Sequence, residues 1–139
     1  MTIKIHTDGA SRGNPGPASI GVVIELPDGA IKTYHQALGI ATNNYAEYQA
    51  IVVALEKAKS LVGKTNTKKY SIELYLDSEL AQKQLTGIYE LKDEAIQKAF
   101  IKIWNLRIKF ASVDFIHIRR ELNKKADALA NKALDEKLT

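Results

Sequence analysis

The sequence predicts an α/β protein: a five-stranded mixed sheet flanked by helices, with strands one to three antiparallel and strands four and five parallel to strand one. Three features carry this prediction. Apolar residues alternate at period two in the early part of the chain, and a turn tripeptide, Pro27-Asp28-Gly29, separates two such runs. From Asn43 the apolar period becomes that of a helix. Two later apolar runs, SIELYL and the stretch from Val113 to Arg119, each lie between helical patterns, the arrangement that sets strands side by side under covering helices.

Taken in order, residues 2–7 (TIKIHT) read as the first strand. SIGVVIEL from Ser19 and AIKTYHQAL beyond the turn read as a hairpin. Ala46, Ala50, Ile51, Ala54, Leu55, Ala58 and Leu61 share one helical face and predict a helix over roughly 44–62, with Asn43 or Asn44 as its N-cap. Ile72, Leu74 and Leu76 line one face of the fourth strand, which leads at Asp77-Ser78 into a helix stopping near Gly87. A helix from about Lys92 to Lys109 and a fifth strand over Val113–Arg119 follow. Asn123 then caps a last helix carrying Ala126, Leu129, Ala130, Ala133 and Leu134. No repeat or linker interrupts this order, so residues 1–139 read as a single domain.

A chain of 139 residues can bury a core unaided, and it contains no cysteine. Disulfides, thiolate zinc sites and a cysteine nucleophile are thereby excluded, and any metal must be held by oxygen or histidine. No apolar run approaches the ~18 residues of a membrane span, and the alternating N-terminus lacks the apolar core of a secretory signal, so a cytoplasmic protein is expected. The net charge of +4 is unevenly spread. From Lys98 to Lys132 nine Lys and Arg stand against three carboxylates, Asp114, Glu121 and Asp127. A polyanion could dock there, although a solvated helix face has the same composition.

Four carboxylates stand out. Asp8 ends the first predicted strand and precedes Gly9, so it either turns the chain or projects past the sheet edge. Glu47 shares its helical face with Ile51, Ala54, Leu55 and Ala58; a carboxylate pointing inward needs a cation, a donor or a proton. Asp77 ends the fourth strand, where it could equally cap the next helix. Asp127 lies one turn into the last helix, on the side of Ala130 and Leu134. Two strand ends and two helix first turns can converge at one edge of a sheet. Carboxylates so gathered suit a hard divalent cation such as Mg²⁺, and two ions about 4 Å apart would clamp an in-line phosphoryl displacement, which is nuclease chemistry.

Four ordered blocks, TDGASRGNPGPASIGVVI, TNNYAEYQAIVVAL, LYLDSELAQKQLTG and ELNKKADALANKAL, together resemble the type 1 ribonucleases H over nearly the whole chain. They correspond to the opening strand with its phosphate loop and second strand, the first helix, the fourth strand with the second helix, and the terminal helix. The resemblance implies the ribonuclease H fold and cleavage of the RNA strand of RNA–DNA hybrids with little sequence preference. It carries a metal site onto Asp8, Glu47, Asp77 and Asp127, the four residues already singled out, for Mg²⁺ or Mn²⁺, with two ions when substrate is bound. It also implies a hybrid-binding groove at Arg12, Gly13, Asn14, Asn43, Asn44 and Gln49. Asparagine side chains and glycine amides suit that task, since an A-like duplex is read through phosphates and 2′-hydroxyls in a wide, shallow minor groove. The implied working form is a monomer acting on hybrid duplex, away from any membrane.

The chain departs from the family pattern in two places. Many members carry a flexible Gly/His loop between the fifth strand and the last helix, whereas Arg119 to Asp127 here reads RRELNKKAD. The stretch from Gly87 to Phe110 reads as one continuous helix with a single Trp104, in place of the family's basic protrusion. Both departures resemble the compact archaeal and some bacterial members. Substrate grip is then expected from Arg119, Arg120, Lys124 and Lys125 with the groove asparagines. His6, His35 and His117 all fall on predicted strands and are expected to take no part as proton shuttles, His6 having at most a fixed supporting role. One alternative is a non-catalytic hybrid-binding domain of the same fold, against which four intact carboxylates argue. Another is a metal nuclease of the same superfold, such as a junction resolvase or a transposase-like strand transferase, which the NPGP loop and the TNN-AE block fit poorly.

Overall fold

The alternating segments form the sheet. In the computed structural model, which describes residues 1–138, β1 (Thr2–Ser11), β2 (Gly16–Glu25) and β3 (Ile31–Ala41) make an antiparallel meander. β4 (Ser71–Leu76) pairs parallel with β1, and β5 (Ser112–His117) parallel with β4, so the sheet order is β3-β2-β1-β4-β5. Period-two patterning then decides what each face holds. Ile3, Ile5, Ile20, Val22, Ile24, Ile72, Leu74 and Leu76 are all fully buried and form the core with α1 (Asn43–Val62) and α3 (Glu94–Arg107). Each such side chain stabilises the fold by about 1.5–3 kcal/mol relative to exposure.

The opposite face of β2 takes α4 (Lys124–Leu138), and here the fit is made by small residues. Gly21 has no side chain; a Cβ there would lie 2.1 Å from the Ala126 carbonyl oxygen and 2.7 Å from the Ala130 nitrogen. Ala126, Ala130 and Ala133 are buried, and the Ser19 hydroxyl donates to the Ala130 carbonyl at 2.6 Å. The backbone of α4 therefore rests almost directly on β2.

Several boundaries differ from those the sequence predicts. β1 continues to Ser11, pairing Asp8 with Gly21 and Ser11 with Ala18, so the turn closes only at residues 12–15. α1 is capped by Thr42, whose Oγ1 accepts from the Tyr45 amide at 3.1 Å, and not by Asn43 or Asn44. No continuous helix runs from Gly87 to Phe110. α2 (Glu79–Leu85) ends before Gly87, which adopts φ of 82°, and α3 starts anew where the Asp93 carboxylate accepts from the Ile96 amide. β5 stops at His117, and Arg120–Leu122 form one 3-10 turn running straight into α4. No helix among the described residues is long and apolar enough to cross a membrane.

Candidate active site

The β1–β4 ladder ends at the pair Thr7 and Leu76, and the next residue on each strand is an aspartate, Asp8 and Asp77. Asp77 is released from capping because Ser78 does that work, its Oγ accepting from the Ala81 amide at 3.2 Å. Glu47 enters from α1 over Gly9. A Cβ on Gly9 would lie 2.2 Å from the Ala46 carbonyl carbon and 2.3 Å from the Glu47 nitrogen, so only glycine lets the helix come this close. The outcome is a cluster: Asp8, Glu47 and Asp77 each offer an oxygen, and these lie within 4.8 Å of one another. Asp127, in the first turn of α4, stands close enough to Asp8 to act on its charge.

Such crowding has an electrostatic consequence. Burial, then the charge of Asp77, then contact with Asp127, push the Asp8 carboxyl up to about 8. Burial, then Asp8 and Asp77, raise Glu47 well above the usual carboxylate range, although the Gly9 amide favours its charge. Glu47 is 8% exposed, and its Oε2 has no hydrogen-bond partner among the described residues. A buried carboxylate oxygen without a donor, inside a group of hard oxygen ligands, is the environment that a divalent cation completes. These residues fit a divalent metal, and a bound dication would reverse the upward shifts.

The cleft around them measures about 440 Å³ and is lined by Asp8, Gly9, Ala10, Ser11, Asn43, Asn44, Glu47, Asp77, Ser78, Arg120 and Asp127. Of the residues expected to grip nucleic acid, it thus gathers Asn43, Asn44 and Arg120. The others are distributed differently. Arg12 donates to Asp135 of α4 at 2.7 Å, an exposed pair that an incoming phosphate could displace at little cost. Gly13 takes φ of 108°, and Asn14 Oδ1 accepts from the Asn43 amide at 3.1 Å, fastening the loop to the start of α1. Gln49 is half-buried on α1 and does not line the cleft. Arg119 and Lys124 are exposed, with Arg119 3.7 Å from Glu121. Lys125 lines a separate cavity of about 250 Å³ with Lys4, His6, Val23, Glu25, Ile31, Leu122 and Asn123. Of these four basic residues only Arg120 lines the carboxylate cleft.

From the sequence Asn123 reads only as a helix cap, but its side chain does more. Asn123 is 1% exposed, and its Nδ2 donates both to the Thr7 carbonyl at 2.9 Å and to Asp77 Oδ2 at 3.0 Å. Its spacing four residues before Asp127 suggests a helix start, and cap and clamp look alike in one dimension. Ser78 and Ser11, which also line the cleft, carried no distinguishing signal either.

A family model described as "Reverse transcriptase-like" matches residues 6–133. The chain is 41% identical over 135 residues to Ribonuclease HI of Halobacterium salinarum, covering 96% of this chain and 65% of that protein. It is 30% identical over 152 residues to Ribonuclease H of Legionella pneumophila, covering 98% of this chain and 99% of that one. Among solved structures, LC11-RNase H1 in complex with an RNA/DNA hybrid superposes with a TM-score of 0.91 at 39% identity, covering 99% of each chain. The chain spans 65% of the Halobacterium protein's length, and only 36% of a mycobacterial bifunctional protein that it also matches. Similarity of this extent, over one sheet order and one set of helices, shows that the chain belongs to the ribonuclease H family.

Proposed function

We propose that the protein is an endonuclease that hydrolyses the RNA strand of RNA–DNA hybrids with little regard for sequence, as a monomer, with residues 1–139 acting as one domain. The observation that carries this reading is the carboxylate cluster with its unpartnered Glu47 oxygen, open to a cleft that also presents Asn43, Asn44 and Arg120. The LC11 relative, solved with a hybrid, supports the choice of substrate.

Asp8, Glu47 and Asp77, with Asp127 beside them, would hold Mg²⁺ or Mn²⁺, two ions when hybrid is bound. Metal at such a site supplies a nucleophile at neutral pH and stabilises the leaving oxygen of an in-line displacement. The chain's own part is placement. Asn43 and Asn44, at the opening of α1, offer amide donors and acceptors to 2′-hydroxyls and phosphates of the minor groove. Arg120 brings a cation to the rim of an acidic cleft, where a phosphodiester must approach against negative charge. Gly9 and Gly21 fix the separation of the carboxylates by setting how near α1 and α4 lie to β1 and β2.

Incubation with end-labelled RNA–DNA, RNA–RNA and DNA–DNA duplexes, in Mg²⁺, Mn²⁺ or EDTA, tests the proposal. Internal cleavage of the RNA strand in the hybrid alone, lost in EDTA, is expected. Binding of hybrid without cleavage in either metal would support the non-catalytic reading instead, and cleavage of the DNA duplex would point to another nuclease of this fold.

A further inference from the structure

From the way Asn123 joins three elements at the carboxylate cluster, we infer that it is a positioning residue for the metal site, through its side-chain amide as well as its backbone. The inference rests on the metal-site reading given above. Both groups that Asn123 Nδ2 meets, the Thr7 carbonyl and Asp77 Oδ2, are acceptors, so only one orientation of the amide makes these bonds. The donor sits where the β1–β4 ladder stops, at Thr7 and Leu76, and bridges the two strands just where their own pairing fails to continue. It holds Thr7, the neighbour of Asp8, and one oxygen of Asp77, and so fixes which Asp77 oxygen turns toward Asp8 and Glu47. The Asn123 carbonyl in turn accepts from the Asp127 amide at 3.1 Å, setting the first turn of α4. One residue thereby registers Asp8, Asp77 and Asp127 against one another.

Its chemistry is specific to an amide. An aspartate in its place would present only acceptors to Thr7 and Asp77 when ionised, and an aliphatic side chain would take the donor from both, at Thr7 in a buried place. Its own Oδ1 is buried without a partner among the described residues, an unfavourable feature that packing alone does not call for. Groups that orient metal ligands in this way typically alter metal affinity or activity about 10–100-fold when removed.

The test uses the full chain and Mn²⁺ alone. Calorimetric titration of Asn123→Leu, which keeps the bulk and deletes the donor, is expected to show Mn²⁺ affinity lowered about tenfold or more relative to wild type, and Asn123→Ser, which keeps one donor, an intermediate loss. On hybrid at saturating metal, kcat falls in the same order while KM stays within about twofold, because the substrate-facing residues are untouched. Near-UV circular dichroism and melting in EDTA verify folding; if Asn123→Leu does not fold, Asn123→Ser decides alone. Wild-type Mn²⁺ affinity in a folded variant overturns the inference, as does a wild type that binds no Mn²⁺. A wild type that binds Mn²⁺ but cuts no hybrid, with affinity lost in the variants, would instead remove the nuclease proposal and leave the positioning role intact.

Discussion

Asp8 and Gly21 face each other across the β1–β2 ladder, and the absence of a side chain on Gly21 is what admits the backbone of α4, and with it Asp127, to that side of the sheet. Gly21→Ala must displace either α4 or β2. Overpacking of this kind destabilises a protein by about 1–3 kcal/mol, to be read from urea denaturation. Cleavage is expected to fall as well, since Asp127 moves with its helix. Unchanged stability would mean that the contact between α4 and β2 is looser than the geometry requires.

Neutralising the cluster separates stability from activity. Asp8→Asn, Glu47→Gln and Asp77→Asn each keep the volume of the side chain and remove a charge from a repulsive group. Each variant is expected to fold and to melt no lower than wild type in EDTA, while kcat on hybrid drops by about a hundredfold or more, because metal-borne charge stabilisation is worth several kcal/mol. Turnover retained in any of the three would sink the assignment of that residue.

Stability of the metal-free protein should depend on pH with an unusual sign. Asp8 is raised to about 8 and Glu47 is raised too, so the folded protein keeps protons that the unfolded chain releases above about 4. The stabilisation is present below that ordinary carboxylate value and is lost as pH rises toward 8, with a slope of at most about 1.4 kcal/mol per pH unit for each proton. The difference in melting temperature between wild type and Asp8→Asn in EDTA is therefore expected to widen from pH 5 to pH 8, and Mg²⁺ at pH 8 to close it. A constant difference would show that the carboxylates do not share a field.

Among the basic residues, the structure separates Arg120 from Lys125. Arg120→Ala is expected to raise KM for hybrid several-fold with little change in kcat and to flatten the salt dependence of binding, each phosphate contact contributing a slope of just under about one in log–log terms. Lys125→Ala, altering a cavity lined with His6 and Glu25, is expected to leave both unchanged. The reverse ranking would move the nucleic-acid path to the other side of α4.

Two of the three histidines are engaged by neighbours, and the third ends a strand at the surface. His6 is stacked on Tyr75 with ring centroids 4.9 Å apart, and burial lowers its affinity for a proton; His35 lies 3.0 Å from Glu136; His117 is exposed at the end of β5. Loss of a histidine acting in acid–base catalysis is worth about 10²-fold or more, so single alanine variants of His35 and His117 retaining kcat within about tenfold are the expected result. A loss of three orders of magnitude at His117, with folding intact, would make β5 the substitute for the absent histidine loop.

Much of this architecture was legible in one dimension, for reasons that differ by element. Strands with Ile3, Ile5 and Ile20, Val22, Ile24 on one face declare themselves through period two, and α1 through its apolar face, because burial imposes those periods directly. The inward direction of Glu47 followed from the same geometry. Helix starts were less legible: Thr42 and Asn43, and Asp77 and Ser78, are neighbouring residues with side-chain acceptors, either of which could cap, and the local backbone makes the choice. The length of β1 was hidden because Gly9, Ser11 and the Gly/Pro residues after them favour turns, yet pairing with β2 overrides that preference to Ser11. Which of Arg119, Arg120, Lys124 and Lys125 borders the carboxylate cleft was hidden for another reason. Charge is a property of composition, whereas placement depends on local backbone, here a 3-10 turn at Arg120–Leu122 ahead of α4.

The close seating of α1 on Gly9 and of α4 on Gly21 also bears on how the molecule breathes. With no side chain in either gap, there is nothing to rotate aside, and the segment around Asp8 can open only when a helix leaves the sheet. Amide hydrogen exchange at residues 8–9 and 21 is therefore expected to proceed through events close to global unfolding, even though Asp8 and Gly9 line the cleft. A small inhibitor would consequently meet one fixed, polar cleft that does not reshape around it.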